Sequence, residues 1–429
     1  MTAAPPARPA RPVLGVLDEI SPLRSVIVHT PGPEIDRLTP DTRERFLFDE
    51  VLWGDRARAQ HEDFITLLEG EGAEVLRLAD LLRDVLADPA AREELLEGTL
   101  DPWVLGDMAA ADLRAAFRAL DPDRLLTILL GGITVGELRA LGVAPRSLAL
   151  QLAAEDDMVL DPLPNHLFTR DPSAWIGDTA VLSPMRRGAR RRESLHLEAV
   201  YRHHPRFAGT GEGAGAGSTG LRRVHAPGHG GGRATLEGGD VMVLSPRTVA
   251  VGLSERTSAV GVEHLAAALL EDAGRGEGTV ERVVAIALPH RRSMMHLDTV
   301  TTVVDHESML RYGPLGPLET IEIEQGPGGL VTRAHPAGEM DAVLARGMGV
   351  DALRVITPPL DPTAAAREQW DDGCNVLAVA PGRVVAYARA SATNDHLRSL
   401  GIEVLELDGD ELGRGRGGPR CMSCPVSRG

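Results

Sequence analysis

Four polar clusters interrupt an otherwise aliphatic chain. They are Pro164-Asn-His-Leu-Phe-Thr-Arg-Asp-Pro172, Leu236-Glu-Gly-Gly-Asp240, Met295-His-Leu-Asp298, and Gly413-Arg-Gly-Arg-Gly-Gly-Pro-Arg-Cys421 with Met-Ser-Cys424 behind it. The last reads as a flexible cationic loop delivering a nucleophile. Its glycines permit positive φ and close approach to a ligand. Arg414, Arg416 and Arg420 are cations of the kind that favour the reactive thiolate. His296 and Asp298, at alternating positions leading into a predicted strand, project from one face. Such a pair suits acid–base work or cation binding, whereas a metal site needs more ligands. The clusters at 164–172 and 236–240 are equally compatible with plain turns.

Two other readings of the cysteine stretch fail on spacing. Cys421 and Cys424 form a CxxC, but no second cysteine pair exists and no βαβ start lies beside it, so metal and redox uses are set aside. Too little chain follows Gly418 to supply the helix that a phosphate loop needs. Together, a thiol, an imidazole and several carboxylates without a metal set point to thiol attack on a cation. Carboxylates raise a thiol pKa, so they serve such a site only where the attacked carbon is itself cationic, as in a guanidinium. Arginines then suit the other end of the substrate, a carboxylate.

The elements that must position these clusters are short. Val26–His29 reads as a strand stopped by Pro31-Gly-Pro33, and Arg43–Leu68 has helical spacing throughout. From about Ala79 to Leu160 leucines recur at three- and four-residue spacing, with Asp-Pro at 88, 101 and 121 as helix starts. Beyond this, short apolar strands alternate with helices such as Ala259–Asp272, which makes an α/β protein. The Gly-rich stretch 209–232 is expected to be a long mobile surface loop. Residues 1–12, rich in Ala, Pro and Arg, are expected to be a disordered tail with no secretory function. No tight short-period repeat is visible.

Composition narrows the partners. The 429 residues carry a net charge of −17, which argues against a nucleic-acid partner. Every basic residue other than histidine is arginine, so no arginine stands out by rarity. Three cysteines do not make a disulfide framework and fit a reducing cytoplasm. No apolar run approaches the ~18 residues of a membrane span.

The motifs resemble those of arginine deiminases, members of the guanidine-modifying superfamily. The resemblance runs through Phe48-Asp-Glu-Val-Leu-Trp53, Asn165-His-Leu-Phe-Thr-Arg-Asp171, Leu236-Glu-Gly-Gly-Asp-Val241, Met295-His-Leu-Asp-Thr-Val300, Glu368-Gln-Trp-Asp-Asp-Gly373 and Glu411-Leu-Gly-Arg-Gly-Arg-Gly-Gly418. It implies a five-bladed β/α propeller over 13–78 and 161–429, with an inserted helical subdomain over 79–160. It also implies a hydrolase acting on a C–N bond of a linear amidine, taking L-arginine to L-citrulline and ammonia without a cofactor or metal. Amidino transfer to an amine is the alternative within the superfamily. By resemblance, Cys421 is the nucleophile, His296 the acid–base group, and Asp171 and Asp298 the guanidinium carboxylates, with Glu237 orienting His296. Asn165, Arg190 (the first of three consecutive arginines) and Arg256 match the α-carboxylate site. Leu47, Phe168, Gly415 and Arg416 match residues along the substrate stem and amino end. A cytoplasmic homodimer or homotetramer is the implied setting. Cys374 and Ala390 stand where the family commonly has asparagine.

Overall fold

The strand Leu23–Val28 is flanked by partners from opposite ends of the chain. Cys424–Arg428 pairs with it antiparallel and Glu74–Arg77 pairs with it parallel. This is one of five sheet units of the same plan in the structure, a computed structural model that describes residues 13–143, 146–207, 223–225 and 233–429. Each unit has an antiparallel pair, then a crossover to a third strand parallel to the second. The others are Ser173–Ile176, Thr179–Leu182 and Arg223–His225; Val241–Ser245, Thr248–Leu253 and Arg282–Ala287; Thr301–Asp305, Ser308–Arg311 and Arg354–Ile356; and Leu377–Ala380, Arg383–Tyr387 and Glu403–Leu407. A hairpin, Thr320–Gly326 and Gly329–His335, widens the Val241–Ala287 sheet to five strands. The chain is thus a mixed α/β protein, as its strand and helix alternation predicts.

The crossovers are helical because parallel strands need a long connection between them. Gly54–Gly70, Arg191–His203, Ala259–Gly274 and Ser391–Ser399 fill that role in four units. Between Glu74–Arg77 and Ser173–Ile176 the chain runs through a series of short helices. The three Asp-Pro pairs do start helices there. Asp88 accepts from Ala90 N and Ala91 N, Asp101 from Trp103 N, and Asp121 from Arg124 N, while each proline occupies the first turn, where its missing N–H costs nothing. The apolar faces of these helices, among them Leu82, Leu113 and Phe117, share one buried cluster with Val181 and Val251 of the sheets.

Three local expectations change. Helix does not run through Arg43–Leu68: residues 40–47 form turns, Leu47 takes φ 66°, and the helix begins at Gly54. His296 and Asp298 are not on a strand face. Asp298 lies in a 3-10 turn, Leu297–Thr299, and the strand starts at Thr301. The expected loop 209–232 falls largely outside the described residues, but Arg223–His225 within it pairs as a strand with Thr179–Val181. The expected tail, 1–12, also lies outside them. Among the described residues, no helix is long and apolar enough to cross a membrane.

Candidate active site

In every unit the turn entering the first strand carries a residue able to do chemistry. Asp171 precedes Ser173–Ile176, Glu237 precedes Val241–Ser245, and His296 and Asp298 precede Thr301–Asp305. Asn375 precedes Leu377–Ala380 and Cys421 precedes Cys424–Arg428. These five turns are joined in a ring of hydrogen bonds. Gly238 N donates to Asp171 O at 2.9 Å and Leu297 N to Asp240 Oδ1 at 2.9 Å. Asn375 Nδ2 donates to Asp298 O at 3.0 Å, Cys421 N to Asn375 Oδ1 at 3.0 Å, and Arg170 N to Cys421 O at 3.1 Å. A short polar turn would otherwise be mobile; here each fixes its neighbour.

The residues singled out in the sequence converge on one pocket. Leu47, Asn165, Phe168, Asp171, Arg190, Arg256, His296, Gly415, Arg416 and Cys421 all line it. Asp298 and Glu237, fully buried, stand directly behind. Asp298 Oδ2 lies 3.7 Å from Cys421 Sγ, and Glu237 Oε2 lies 2.9 Å from His296 Nε2. His296 Nδ1 is 3.6 Å from Asp171 Oδ1.

The cysteine stretch is buried rather than flexible, and its glycines serve close approach. None of glycines 413, 415, 417 and 418 has positive φ; the left-handed residue is Arg416, at φ 65°. A Cβ on Gly417 would lie 2.4 Å from Phe168 Cε1, and one on Gly418 would lie 2.6 Å from Asn375 O. Arg416 does not reach the thiol region by any recorded contact. Its guanidinium stacks on Trp370, 3.5 Å from the ring centroid, and bonds the Trp370 carbonyl.

Of the three arginines in the glycine loop, the cation beside the thiol is Arg420. Its Nη1 donates to Asp298 Oδ2 at 2.7 Å, and Nη2 donates to Glu19 Oε2 at 3.1 Å and to Val241 O at 2.9 Å. Asn375 was missed in the sequence. Its signal was its place in the polar run after Trp370, where apolar spacing breaks before a strand.

Charge in this cavity is nearly all internal. Burial, then Asp298, Asp171 and Asp372, push the Cys421 thiol well above its ordinary value, and Arg420 only partly opposes them. Burial alone would lower His296, but Asp171 and the hydrogen bond to Glu237 outweigh it and raise it to about 9. Glu237 is buried, yet Arg256 and His296 hold it below the usual carboxylate range. Of the three consecutive arginines, Arg190 reaches the site. It binds Asp171 Oδ2, both oxygens of Glu193, and the carbonyls of Asn165 and Phe168. Arg192 turns away to the carbonyls of Leu129 and Asp161. Arg256 bonds Glu237 Oε2 and Met295 Sδ, while its buried Nε–H makes no hydrogen bond and lies 3.8 Å from Glu255 Oε1. One oxygen of each of two carboxylates here, Asp171 Oδ1 and Asp298 Oδ1, is buried with no hydrogen bond.

Asp171, Glu237 and His296 bring one ligand atom each within 4.8 Å of one another, close enough to surround a cation. The donor set fits one poorly. A ligating imidazole must be neutral, whereas His296 holds its proton to about pH 9, and guanidinium groups already occupy Asp171 and Glu237.

Comparison with known proteins agrees with the geometry. Residues 44–428 match the family model for arginine deiminase. An arginine deiminase of Mycobacterium marinum is 44% identical over 416 residues, covering 97% of this chain and 98% of its own. One of Rhodococcus opacus is 43% identical over 417 residues, with 97% of each covered. Among solved structures, SxtG, an amidinotransferase of the saxitoxin biosynthetic pathway from Microseira wollei, superposes with a TM-score of 0.54 at 14% identity over 97% of each chain. The N-terminal domain of an ArgZ variant, covalently bound to a reaction intermediate, superposes at 0.51 and 12%, covering 94% of this chain and 98% of its own. At such identities these two speak to the fold alone.

Proposed function

The chain belongs to the arginine deiminase family, and we propose from the geometry how its residues perform that family's reaction, the hydrolysis of L-arginine to L-citrulline and ammonia. The observation that carries the assignment of roles is the pair of orphaned carboxylate oxygens, Asp171 Oδ1 and Asp298 Oδ1, beside a buried thiol and imidazolium. Buried acceptors are costly without donors. A guanidinium supplies N–H donors in a fixed planar fork and cancels the charge that those two carboxylates place on the site.

Bound guanidinium also changes the thiol. Once the oxygens that Arg190 and Arg420 leave free, Asp171 Oδ1 and Asp298 Oδ1, also face a cation, part of the charge that opposes ionisation of Cys421 is offset and the thiolate is attracted to its target carbon. Cys421 Sγ, its proton passed to solvent, attacks the guanidinium carbon. His296, still protonated, gives its proton to a departing amino group and ammonia leaves, with Cys421 in an amidino-thioether. Neutral His296 then takes a proton from water, which adds to the same carbon. Collapse breaks the C–S bond, and the added hydroxyl's proton returns the thiol. Glu237 holds His296 in place through its 2.9 Å contact. Arg256, Arg190 and Asn165 receive the α-carboxylate. Leu47, Phe168, Gly415 and Arg416 enclose the aliphatic stem and amino end.

The same reading covers the architecture and setting. Five units of one plan, and a ring of hydrogen bonds that returns from Cys421 to Arg170, support a five-bladed β/α propeller with 79–160 as a helical insert. Three free cysteines suit a reducing cytoplasm.

Citrulline and ammonia release from arginine alone, without an amine acceptor, tests the reaction against amidino transfer. Within that assay Cys421→Ser is expected to abolish turnover, since a hydroxyl lacks the thiol's reactivity without dedicated activation. Cys424→Ala keeps most of it, because that thiol is packed against Ser173 and Tyr201. Equal loss in both variants would mean that the wrong thiol carries the chemistry.

A further inference from the structure

Two histidines that the mechanism does not use stand just behind the proposed α-carboxylate site. His166 and His196 are wholly buried. His166 Nε2 and His196 Nδ1 are hydrogen-bonded at 2.8 Å, and the rings stack at 5.0 Å between centroids, 16° from parallel. Burial first, and then neighbouring cations, keep both well below the ordinary histidine range, so the pair is neutral at neutral pH. The charged and titratable groups facing it are Arg190 and Arg192 from one side and His29, hydrogen-bonded to Glu34, from the other.

The position of this pair in the chain gives it a role. His166 lies in the 3-10 turn Pro164–Leu167, between Asn165 and Phe168. His196 lies in the helix Arg191–His203, one turn after Glu193, which grips Arg190 through both carboxylate oxygens. The turn and the helix therefore carry the two halves of the carboxylate site. Among the described residues, two recorded polar links join these halves: the Arg190 guanidinium on the Asn165 and Phe168 carbonyls, and the histidine pair. The first is the link that a substrate carboxylate would compete with. The second is out of its reach.

We propose that the His166–His196 hydrogen bond is a positioning device for substrate recognition, locking the Asn165–Phe168 turn to the start of the helix that holds Arg190. When Arg190 engages a carboxylate, this bond keeps Asn165 and Arg190 at a fixed separation. The proposal rests on the assignment of Asn165 and Arg190 to the α-carboxylate.

The test compares arginine with agmatine, which lacks the carboxylate, in the full-length enzyme. The variant His166→Phe/His196→Phe keeps two stacked rings and removes the hydrogen bond without leaving either partner unsatisfied. Its KM for arginine is expected to rise about tenfold with kcat within about threefold, the pattern of lost ground-state binding, while kcat/KM for agmatine stays within about twofold. His196→Asn, which puts a hydrogen-bonding atom near the place of Nδ1, is expected to recover most of the arginine KM. A wild type that processes agmatine as well as arginine would remove the carboxylate site itself. A wild type that discriminates, with a double variant that discriminates equally, overturns the positioning role alone. Loss of cooperative melting in both the double variant and His196→Phe overturns it in favour of simple core packing.

Discussion

Cys421 sits among carboxylates, and their charge, with burial, governs when its thiol ionises. In the free protein, burial together with Asp298, Asp171 and Asp372 keeps the thiol protonated well above its ordinary range, and Arg420 does not reverse this. At pH 7 the resting group is then the thiol, with the thiolate disfavoured. His296 meanwhile keeps its proton up to about pH 9, so the resting pair is thiol and imidazolium rather than the reverse. Alkylation by neutral iodoacetamide, which reports thiolate, is expected to be slow at pH 7 and to keep rising with pH beyond 9. Asp298→Asn removes the nearest negative charge, so alkylation quickens while turnover of arginine falls by about tenfold or more. A thiol found fully ionised below pH 7, by its ultraviolet absorbance, would refute substrate-assisted activation and leave Cys421 as the nucleophile.

At the scale of elements, the site is five copies of one device, a turn ahead of the first strand of a unit. Asn375 shows what the device requires. It accepts from Cys421 N and donates to Asp298 O, so one side chain sets the Cys421 turn against the Asp298 turn. Asn375→Ala leaves a buried donor and a buried acceptor unpaired, at about 1–3 kcal/mol each. It is expected to lower kcat at least tenfold with a smaller change in KM, together with a reduced melting temperature. An unchanged kcat would mean that the ring of turns does not set the reacting geometry.

Much of this level was legible in the sequence. The polar clusters broke the apolar period where the turns are, and Asp-Pro marked three helix starts correctly. What escaped had physical reasons. Asn375 and Arg420 act through hydrogen bonds to residues 77 and 122 positions away, and no local pattern encodes such pairing. The fivefold recurrence is invisible as a repeat because the units share strand order and crossover, not residues. The final strand was hidden because Cys424–Arg428 contains a proline and an arginine. It forms as an edge strand whose partner, Leu23–Val28, lies at the other end of the chain. Leu47 at φ 66° broke a helix that its neighbours' spacing predicts, since φ > 0 is a tertiary demand that a leucine does not announce.

For the molecule as a whole, the buried titratable groups oppose one another in their effect on stability. His61, His166 and His196 are held below their ordinary value of 6.5, chiefly by burial. The unfolded chain therefore binds three more protons than the native state below pH 6.5, and their contribution is lost as pH falls. Glu193, Asp240 and Asp372, pushed up by burial to about 7, do the reverse. There the native state holds protons that the unfolded chain has released, so stability from these groups is lost as pH rises from about 4 to 7. These two sets of three oppose one another between pH 4 and 6.5. Above that, His296 adds a contribution of its own. Its stabilisation is fully present below 6.5 and is lost as pH rises through about 9, about 3 kcal/mol over that window. Removing two of the histidines should break the acid-side balance. The His166→Phe/His196→Phe variant, compared with wild type by urea denaturation at each pH, is expected to gain relative stability as pH falls below 6.5, by up to about 2.7 kcal/mol per pH unit. The two proteins should run parallel above pH 7.5, where neither histidine titrates in either state. Parallel curves at pH 5 as well would show that the buried pair takes up protons in the folded protein, and that its surroundings do not enforce neutrality.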